Sequence, residues 1–419
     1  MYRLSFTNPN LNSIEIDLPT SKSISNRALI LNALLKNKIK LFELSSADDT
    51  QIMISALTSN NKEIYLKNAG TCIRFLAAYF SVLPQINVLL YCDERMKERP
   101  IKELIDALNN LGADIKYLEN ENYPPLAISG KKIEGNTVHL NASKSSQFVS
   151  ALMLVAPFIK NGLTIYLYES IASYDYIKMT SLLMNEFGLK CDLINNKIEI
   201  EEYVNSPILN EYTIEKDWSA AAFWYLTVCI NPNININLKS LDLNSIQGDK
   251  ITAEYFKKLG IETIQTETGI KINNSLKCNN NLSFDLENCI DLAPALSVAC
   301  AVLNLNVSLF GLNNLKIKES NRLIAIVNEL LKFGFSVENT NDSINIKSIE
   351  TNIDYNKKII IKTYNDHRIA MAFAPLTMLF NNVEIEEIES VGKSYPDFFI
   401  DLNKIGIDIK PILLNTEQK

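Results

Sequence analysis

Lys22 and Arg27 sit inside the run PTSKSISNRAL, and the apolar stretch ALILNALL follows at once. Thr20, Ser21 or Ser23 can cap a helix starting there. Two cations, however, carry the wrong sign for a helix N-terminus, which is already partly positive. An anionic ligand would resolve the conflict. Further polar clusters precede apolar helical stretches: Asn68, Gly70, Thr71 and Arg74; Ser145, Ser146 and Gln147; Asp291; and Asp366, His367 and Arg368. Three other runs add charge: DERMKERPIKEL with Arg95, Lys97 and Arg99, KIKESNRL with Lys316, Lys318, Glu319 and Arg322, and GKSYPDFF with Lys393. Capping needs a hydroxyl or a carboxylate, not Lys or Arg. Together these residues supply enough cations for two phosphates and a carboxylate, with Asp291 and Glu319 available for proton transfer.

The bulk composition narrows the ligand. A chain of 419 residues has room for two or three domains. Its net charge of −7 opposes general binding of nucleic acid. The seven cysteines form no CxxC or CxH spacing, so no metal and no cofactor is expected, and reduced thiols suit a cytoplasmic protein. The N-terminal stretch has no apolar secretory core. Residues 292–312 carry no charge, but Asn304 and Asn306 and the alternation around them read as a buried helix followed by a strand, not a membrane span. Nucleotide-binding, esterase and zinc-protease signatures (GxxxxGK[ST], GxGxxG, GxSxG, HExxH) do not occur. The expected ligands are therefore small molecules, and a monomer is expected.

The elements that hold these residues repeat. Six segments share a polar cluster followed by an Ala-rich apolar helix, starting at Thr20, Asn68, Ser143, Asp217, Asp291 and Asp366, at intervals of 48, 75, 74, 74 and 75 residues. A second helix in five of the units stops at Gly112, Gly188, Gly260, Gly334 or Gly406, spaced by 76, 72, 74 and 72. The first unit has a second helix near DDTQIMISALTS but no glycine-plus-hairpin afterward, which accounts for its short interval. Each unit reads as β-α-β-α-β-β, so the expected class is α/β (α+β), with three repeats per domain around buried parallel helices. One domain is expected over 20–214 and the other over 1–19 plus 215–419, with hinge crossovers near 17–21 and 205–217. The first strand of the chain is expected to complete the second of these.

PTSKSISNRAL, NAGTCIRF, RMKERPI, SSQF, QGD, KIKESNRL, YNDHRIAM and GKSYPDFF, in this order, resemble the 5-enolpyruvylshikimate-3-phosphate synthase family of enolpyruvyl transferases, over essentially the whole chain. The resemblance implies a two-domain fold of six βαβαββ repeats joined by a hinge. It implies transfer of the enolpyruvyl group of phosphoenolpyruvate to the 5-hydroxyl of shikimate 3-phosphate, in aromatic amino-acid biosynthesis. On the shikimate-3-phosphate side it points to Lys22, Ser23, Arg27, Ser145, Ser146, Gln147, Ser173, Asp291, Asn314 and Lys318. On the phosphoenolpyruvate side it points to Lys22, Gly70, Arg99, Gln147, Arg322, Arg368 and Lys393. Asp291 is expected as base toward the 5-hydroxyl and Glu319 as proton donor to the methylene carbon, with Lys22, His367 and Lys393 assisting. Cations divided between two halves repel until anions bind, so substrate-dependent compaction is expected, readable by small-angle scattering. Two departures stand out: Phe75 replaces a frequent Pro, and Asn321 replaces a usual Asp. The nearest rival, a UDP-N-acetylglucosamine enolpyruvyl transferase, lacks the combination of SKS…NR with NDHR.

Overall fold

The structure is a computed structural model that describes residues 1–7, 13–204, 208–275, 277–278, 282–350 and 352–412. Residues 205–207 of the second expected crossover lie outside the described residues. The chain divides into two compact units, Thr20–Glu215 with Ile246–Gly248 (the first unit) and Met1–Pro19 with Lys216–Ser245 and Asp249–Lys419 (the second unit). The grouping of Ile246–Gly248 with Thr20–Glu215 differs from the sequence reading, which assigned those three residues to the other domain. Glu215 supplies the reason: its carboxylate accepts from Ile246 N at 3.2 Å and from Gln247 Nε2 at 3.0 Å.

Five four-stranded sheets share one order, in which the first two strands run parallel and the other two add antiparallel, four of the five as a hairpin. In the first unit, Glu63–Tyr65 pairs with Asn87–Tyr91, then Leu126–Ser129, then Asp114–Tyr117. Thr137–Asn141, Leu163–Tyr168, Lys197–Ile200 and Cys191–Ile194 repeat the pattern. The short opening repeat keeps only Lys40–Phe42, paired in parallel with Glu211–Thr213, a strand more than 160 residues downstream.

The second unit borrows its missing strands from the N-terminus. Ile14–Ile16 lies parallel to Ile236–Lys239 and opens the fourth repeat. Tyr2–Phe6 lies between Val383–Ile385 and Ile407–Pro411, antiparallel to both, and closes the sixth. Leu282–Asp285, Val307–Phe310, Ser343–Lys347 and Ser336–Asn339 form the fifth sheet. The uncharged run at 292–312 resolves into helix Ala293–Val302 and strand Val307–Phe310. No helix among the described residues is long and apolar enough to cross a membrane.

Three core helices touch one another in each unit: Lys22–Leu34, Gly70–Ser81 and Ser146–Val155 in the first, and Trp218–Ile230, Ala293–Val302 and His367–Phe373 in the second. Every residue of Trp218–Ile230 except Ser219 is buried, as its all-round apolar composition requires. Burying a large apolar side chain stabilises by about 1.5–3 kcal/mol, so these helices anchor both cores. The outer helices end where the sequence placed their stops. Gly112, Gly188, Gly260, Gly334 and Gly406 all have φ between 79° and 100°, a conformation that costs other residues a Cβ clash.

Candidate active site

In the first unit the polar residues cluster at the starts of the three core helices. Ser21 is the cap of the Lys22 helix, accepting from Ile24 N, so Ser23 is left to serve otherwise. Lys22, the first helical residue, finds its counter-charge within the protein. Its ammonium lies 3.1 Å from Asp49, a carboxylate with only 6% side-chain exposure. Cys72 fixes that neighbour by donating its thiol proton to the Asp49 carbonyl at 3.0 Å. Ser145 caps the Ser146 helix through Gln147 N at 3.2 Å. The Gly70 helix has Ala69 at its N-cap and no side-chain cap hydrogen bond.

Around that uncapped end stand two arginines. Arg74 donates to Gln147 Oε1 at 2.5 Å, and the Gln147 amide donates in turn to Thr71 Oγ1 at 3.1 Å. Arg99 is 5% exposed, and its Nε and Nη1 have no hydrogen-bond partner among the described residues. A buried guanidinium left with idle donors is costly unless an anion satisfies them. Gly70 makes room for this arrangement, since a Cβ there would lie 2.7 Å from Arg99 Nη1 and 3.0 Å from Arg74 Nη1.

Arg27, expected from the sequence as an anion ligand, is held by neutral groups of the protein. It is 2% exposed and donates to Thr180 Oγ1 at 2.7 Å, Ser150 Oγ at 3.1 Å and the Ser23 carbonyl at 2.9 Å, all neutral acceptors. Burial, opposed by Tyr176, lowers its pKa to about 10. Its guanidinium also lies over the Phe75 ring, 5.2 Å from the centroid, so the residue that replaces a frequent Pro packs directly on a site cation. Ser173 is buried in the left-handed region (φ 54°) at the start of helix Tyr174–Glu186.

The second unit gathers its charges on one guanidinium. Arg322, 1% exposed, donates to Asp366 Oδ2 (2.9 Å) and Oδ1 (3.1 Å), to Asp291 Oδ1 (2.8 Å) and to Glu319 Oε2 (2.6 Å). Asp366 also caps the His367 helix through Arg368 N and accepts from Ser320 Oγ. Arg368 lies 3.3 Å and Lys318 3.4 Å from the Asp291 carboxylate, and Lys393 lies 3.7 Å from Glu319. His367 is buried beside Asp366, with 3.9 Å between Nδ1 and Oδ1. Asn314 is half-buried on the turn Asn313–Ile317 that leads into Lys318 and Glu319.

The electrostatics follow from this packing. Burial pushes the Asp291 carboxyl up, but Arg368, Lys318 and Arg322 together outweigh it and hold the group well below the usual carboxylate range. Burial lowers Lys318, with Arg322 and Arg368 adding to the shift against Asp291 and Glu319. Burial also lowers Arg322, yet Asp366, Glu319 and Asp291 more than reverse this and lock it in the charged form. Asp249 of the QGD motif is 4% exposed and accepts from Ser219 Oγ; burial raises its pKa to about 6.

Each unit thus assembles its share of the residues singled out from the sequence. Sequence reasoning missed Asp49 as the partner of Lys22, because a carboxylate in the first turn of a helix is ordinary capping chemistry. It placed Asp366 in a polar cluster and noted Asp249 within QGD without giving either a task. Asn321, read as the loss of a partner for a cation, caps the Arg322 helix through Ile324 N at 3.4 Å.

Comparison with known proteins places the chain in a family. Residues 55–402 match the family described as EPSP synthase (3-phosphoshikimate 1-carboxyvinyltransferase). A 3-phosphoshikimate 1-carboxyvinyltransferase of Bacteroides fragilis is 42% identical over 94% of this chain and 96% of its own. One from Haemophilus influenzae is 34% identical over 93% and 96%. The solved EPSP synthase of Acinetobacter baumannii superposes with a TM-score of 0.76 at 21% identity, covering 98% of this chain and 100% of that one.

Proposed function

Because this chain belongs to the EPSP synthase family and has the activity of a 3-phosphoshikimate 1-carboxyvinyltransferase, we propose that its two polar clusters divide the enolpyruvyl transfer between them. The reaction joins the 5-hydroxyl oxygen of shikimate 3-phosphate to the central carbon of phosphoenolpyruvate. The methylene carbon first gains a proton, which makes the central carbon electrophilic. Attack gives a tetrahedral adduct, and phosphate departs as the new methyl group gives a proton back.

In the first unit, Lys22, Ser23, Arg27, Ser145, Ser146, Gln147 and Ser173 are read as the shikimate-3-phosphate contacts, with Gly70, Arg99 and Gln147 receiving phosphoenolpyruvate. Support comes from the idle Nε and Nη1 of buried Arg99 beside the uncapped Gly70 helix. In the second unit, Asp291, Asn314 and Lys318 are assigned to shikimate 3-phosphate, and Arg322, Arg368 and Lys393 to phosphoenolpyruvate.

One observation carries the mechanistic reading: Asp291 and Glu319 hang on a single buried guanidinium, with Lys318, Arg368 and Lys393 within 3.3–3.7 Å of one or the other. Asp291 is held ionised, ready to accept the 5-hydroxyl proton. Its basicity rises when Arg368 and Lys318 turn toward substrate anions, because the cations that depressed it are then shared. Glu319, between Arg322 and Lys393, is assigned the proton exchange at the methylene carbon, with Lys393 and His367 assisting. The cations also offset the charge growing on the leaving phosphate. A monomer in the cytoplasm completes the reading. The test is release of inorganic phosphate from shikimate 3-phosphate plus phosphoenolpyruvate by the purified chain. Silence with that pair would sink the assignment.

A further inference from the structure

The segment Lys362–Asp366, which leads into His367 and Arg368, is held in a conformation that its sequence resists. Tyr364 and Asn365 have φ of 55° and 53°, two successive non-glycine residues in the left-handed region. Such backbone persists only where the surroundings over-determine it. Here two carboxylates do so. Glu329, 0% exposed, accepts from Lys362 N at 3.2 Å and from the Tyr364 hydroxyl at 3.0 Å, with Lys332 2.8 Å away. Exposed Glu387 accepts from Thr363 Oγ1 at 3.0 Å and Asn365 N at 2.9 Å, both on Oε2.

The positions of the two glutamates matter as much as their bonds. Glu329 lies seven residues after Arg322 on helix Arg322–Lys332, so both project from one face. That face grips the segment twice, through Asp366 at one point and through Lys362 and Tyr364 at the other. Glu387 directly precedes the helical turn Ile388–Lys393, so it ties the segment to the element that ends in Lys393. We propose that Glu329 and Glu387 are positioning residues that clamp the Tyr364–Asn365 turn and thereby hold Arg368 and Lys393 in register with Arg322. Neither touches a reacting group. The inference rests on the phosphoenolpyruvate roles given above to Arg368 and Lys393.

Steady-state phosphate release, with each substrate varied in turn, tests the clamp. Glu387 is exposed, so Glu387→Ala folds, which circular dichroism checks. Its kcat/KM for phosphoenolpyruvate should fall at least about tenfold, while KM for shikimate 3-phosphate stays within about threefold. Glu387→Gln should restore most of the loss, because an amide oxygen can accept both hydrogen bonds. Adding Asn365→Gly to Glu387→Ala should relieve backbone strain, raising Tm while leaving activity low. Glu329→Gln should show a smaller loss with the same selectivity for phosphoenolpyruvate. A Glu387→Ala protein within twofold of its parent would overturn the proposal, as would equal losses for both substrates or a Gln variant as poor as Ala. An inactive parent would instead sink the functional reading itself.

Discussion

Arg322 and Asp366 are joined twice inside the second unit, Nε to Oδ2 at 2.9 Å and Nη2 to Oδ1 at 3.1 Å, with side-chain exposures of 1% and 0%. The fork geometry orients the guanidinium, so that Nη1 and the rest of Nη2 reach Asp291 and Glu319. A buried pair of this kind adds little stability over apolar packing but is expensive to break from one side. Asp366→Ala should therefore cost about 3–5 kcal/mol in denaturant unfolding and abolish activity. A cost under about 1 kcal/mol would show that Asp291 and Glu319 suffice to hold the guanidinium.

Asp291 is distinguished from its neighbours by role. Asp291→Asn keeps a similar shape and removes the acceptor of the 5-hydroxyl proton. Turnover should fall about a thousandfold, while calorimetry still detects shikimate 3-phosphate binding. Retention of a tenth of the parent turnover would exclude the residue as base.

Lys22 faces a buried partner, and this changes what its removal does. From the sequence alone, Lys22→Ala should cost little stability and most of the activity. With Asp49 3.1 Å away, the variant leaves a carboxylate of low exposure uncompensated, so about 1–3 kcal/mol should be lost as well. The double variant Lys22→Ala with Asp49→Ala should recover stability but not activity. Joint recovery would make Lys22 purely structural.

Gly70→Ala sets a methyl group 2.7 Å from Arg99 Nη1, too close for both to stay in place. The guanidinium, being the end of a flexible side chain, shifts without unfolding the helix. KM for phosphoenolpyruvate should rise about tenfold with kcat largely kept, the pattern of lost ground-state binding. The unsubstituted protein, with no side chain at Gly70, should be inhibited by glyphosate at millimolar concentration. Unchanged turnover there would refute the expectation of an accessible site.

Asp249 predicts a pH dependence of folding. Burial, aided by Asp291 and Asp217 against Arg368 and Ser219, raises its pKa from 3.8 to about 6. Between about pH 4 and pH 6 the folded chain keeps a proton that the unfolded chain has lost, so stability falls as pH rises through that window. The full drop is up to about 3 kcal/mol at 1.36 kcal/mol per pKa unit. Asp291, depressed by its cations, acts with the opposite sign and at lower pH. Asp249→Asn should flatten the decline in urea titrations between those two pH values, and a slope left unchanged would assign it elsewhere.

Much of the site is legible because its chemistry breaks a local rule. Cations at Lys22, Arg27 and Arg368 stand at or near helix starts, where capping wants hydroxyls and carboxylates, so local physics leaves them unexplained and marks them as candidates for a site. Buried counter-charges such as Asp49 and Asp366 break no local rule. Their positions suit helix starts, and only the fold shows what they face.

The sequence by itself determined the repeat. After the short opening unit, polar helix starts recur every 74–75 residues and glycine stops follow at intervals of 72–76, because each unit solves the same packing problem with the same local signals. What it could not determine was which strands complete which sheets. The sequence assigns the first strand, Tyr2–Phe6, to the second domain but to no particular sheet, and it marks neither Ile14–Ile16 nor Glu211–Thr213, which falls inside the expected crossover near 205–217, as a strand. Their partners lie far away in the chain, and such pairing is decided by which sheet edge the assembled repeat leaves open. The same holds for Arg322. Its type and position suggest an anion ligand, and only tertiary packing, by bringing three carboxylates from separate turns onto one guanidinium, made it the hub that orients Asp291 and Glu319.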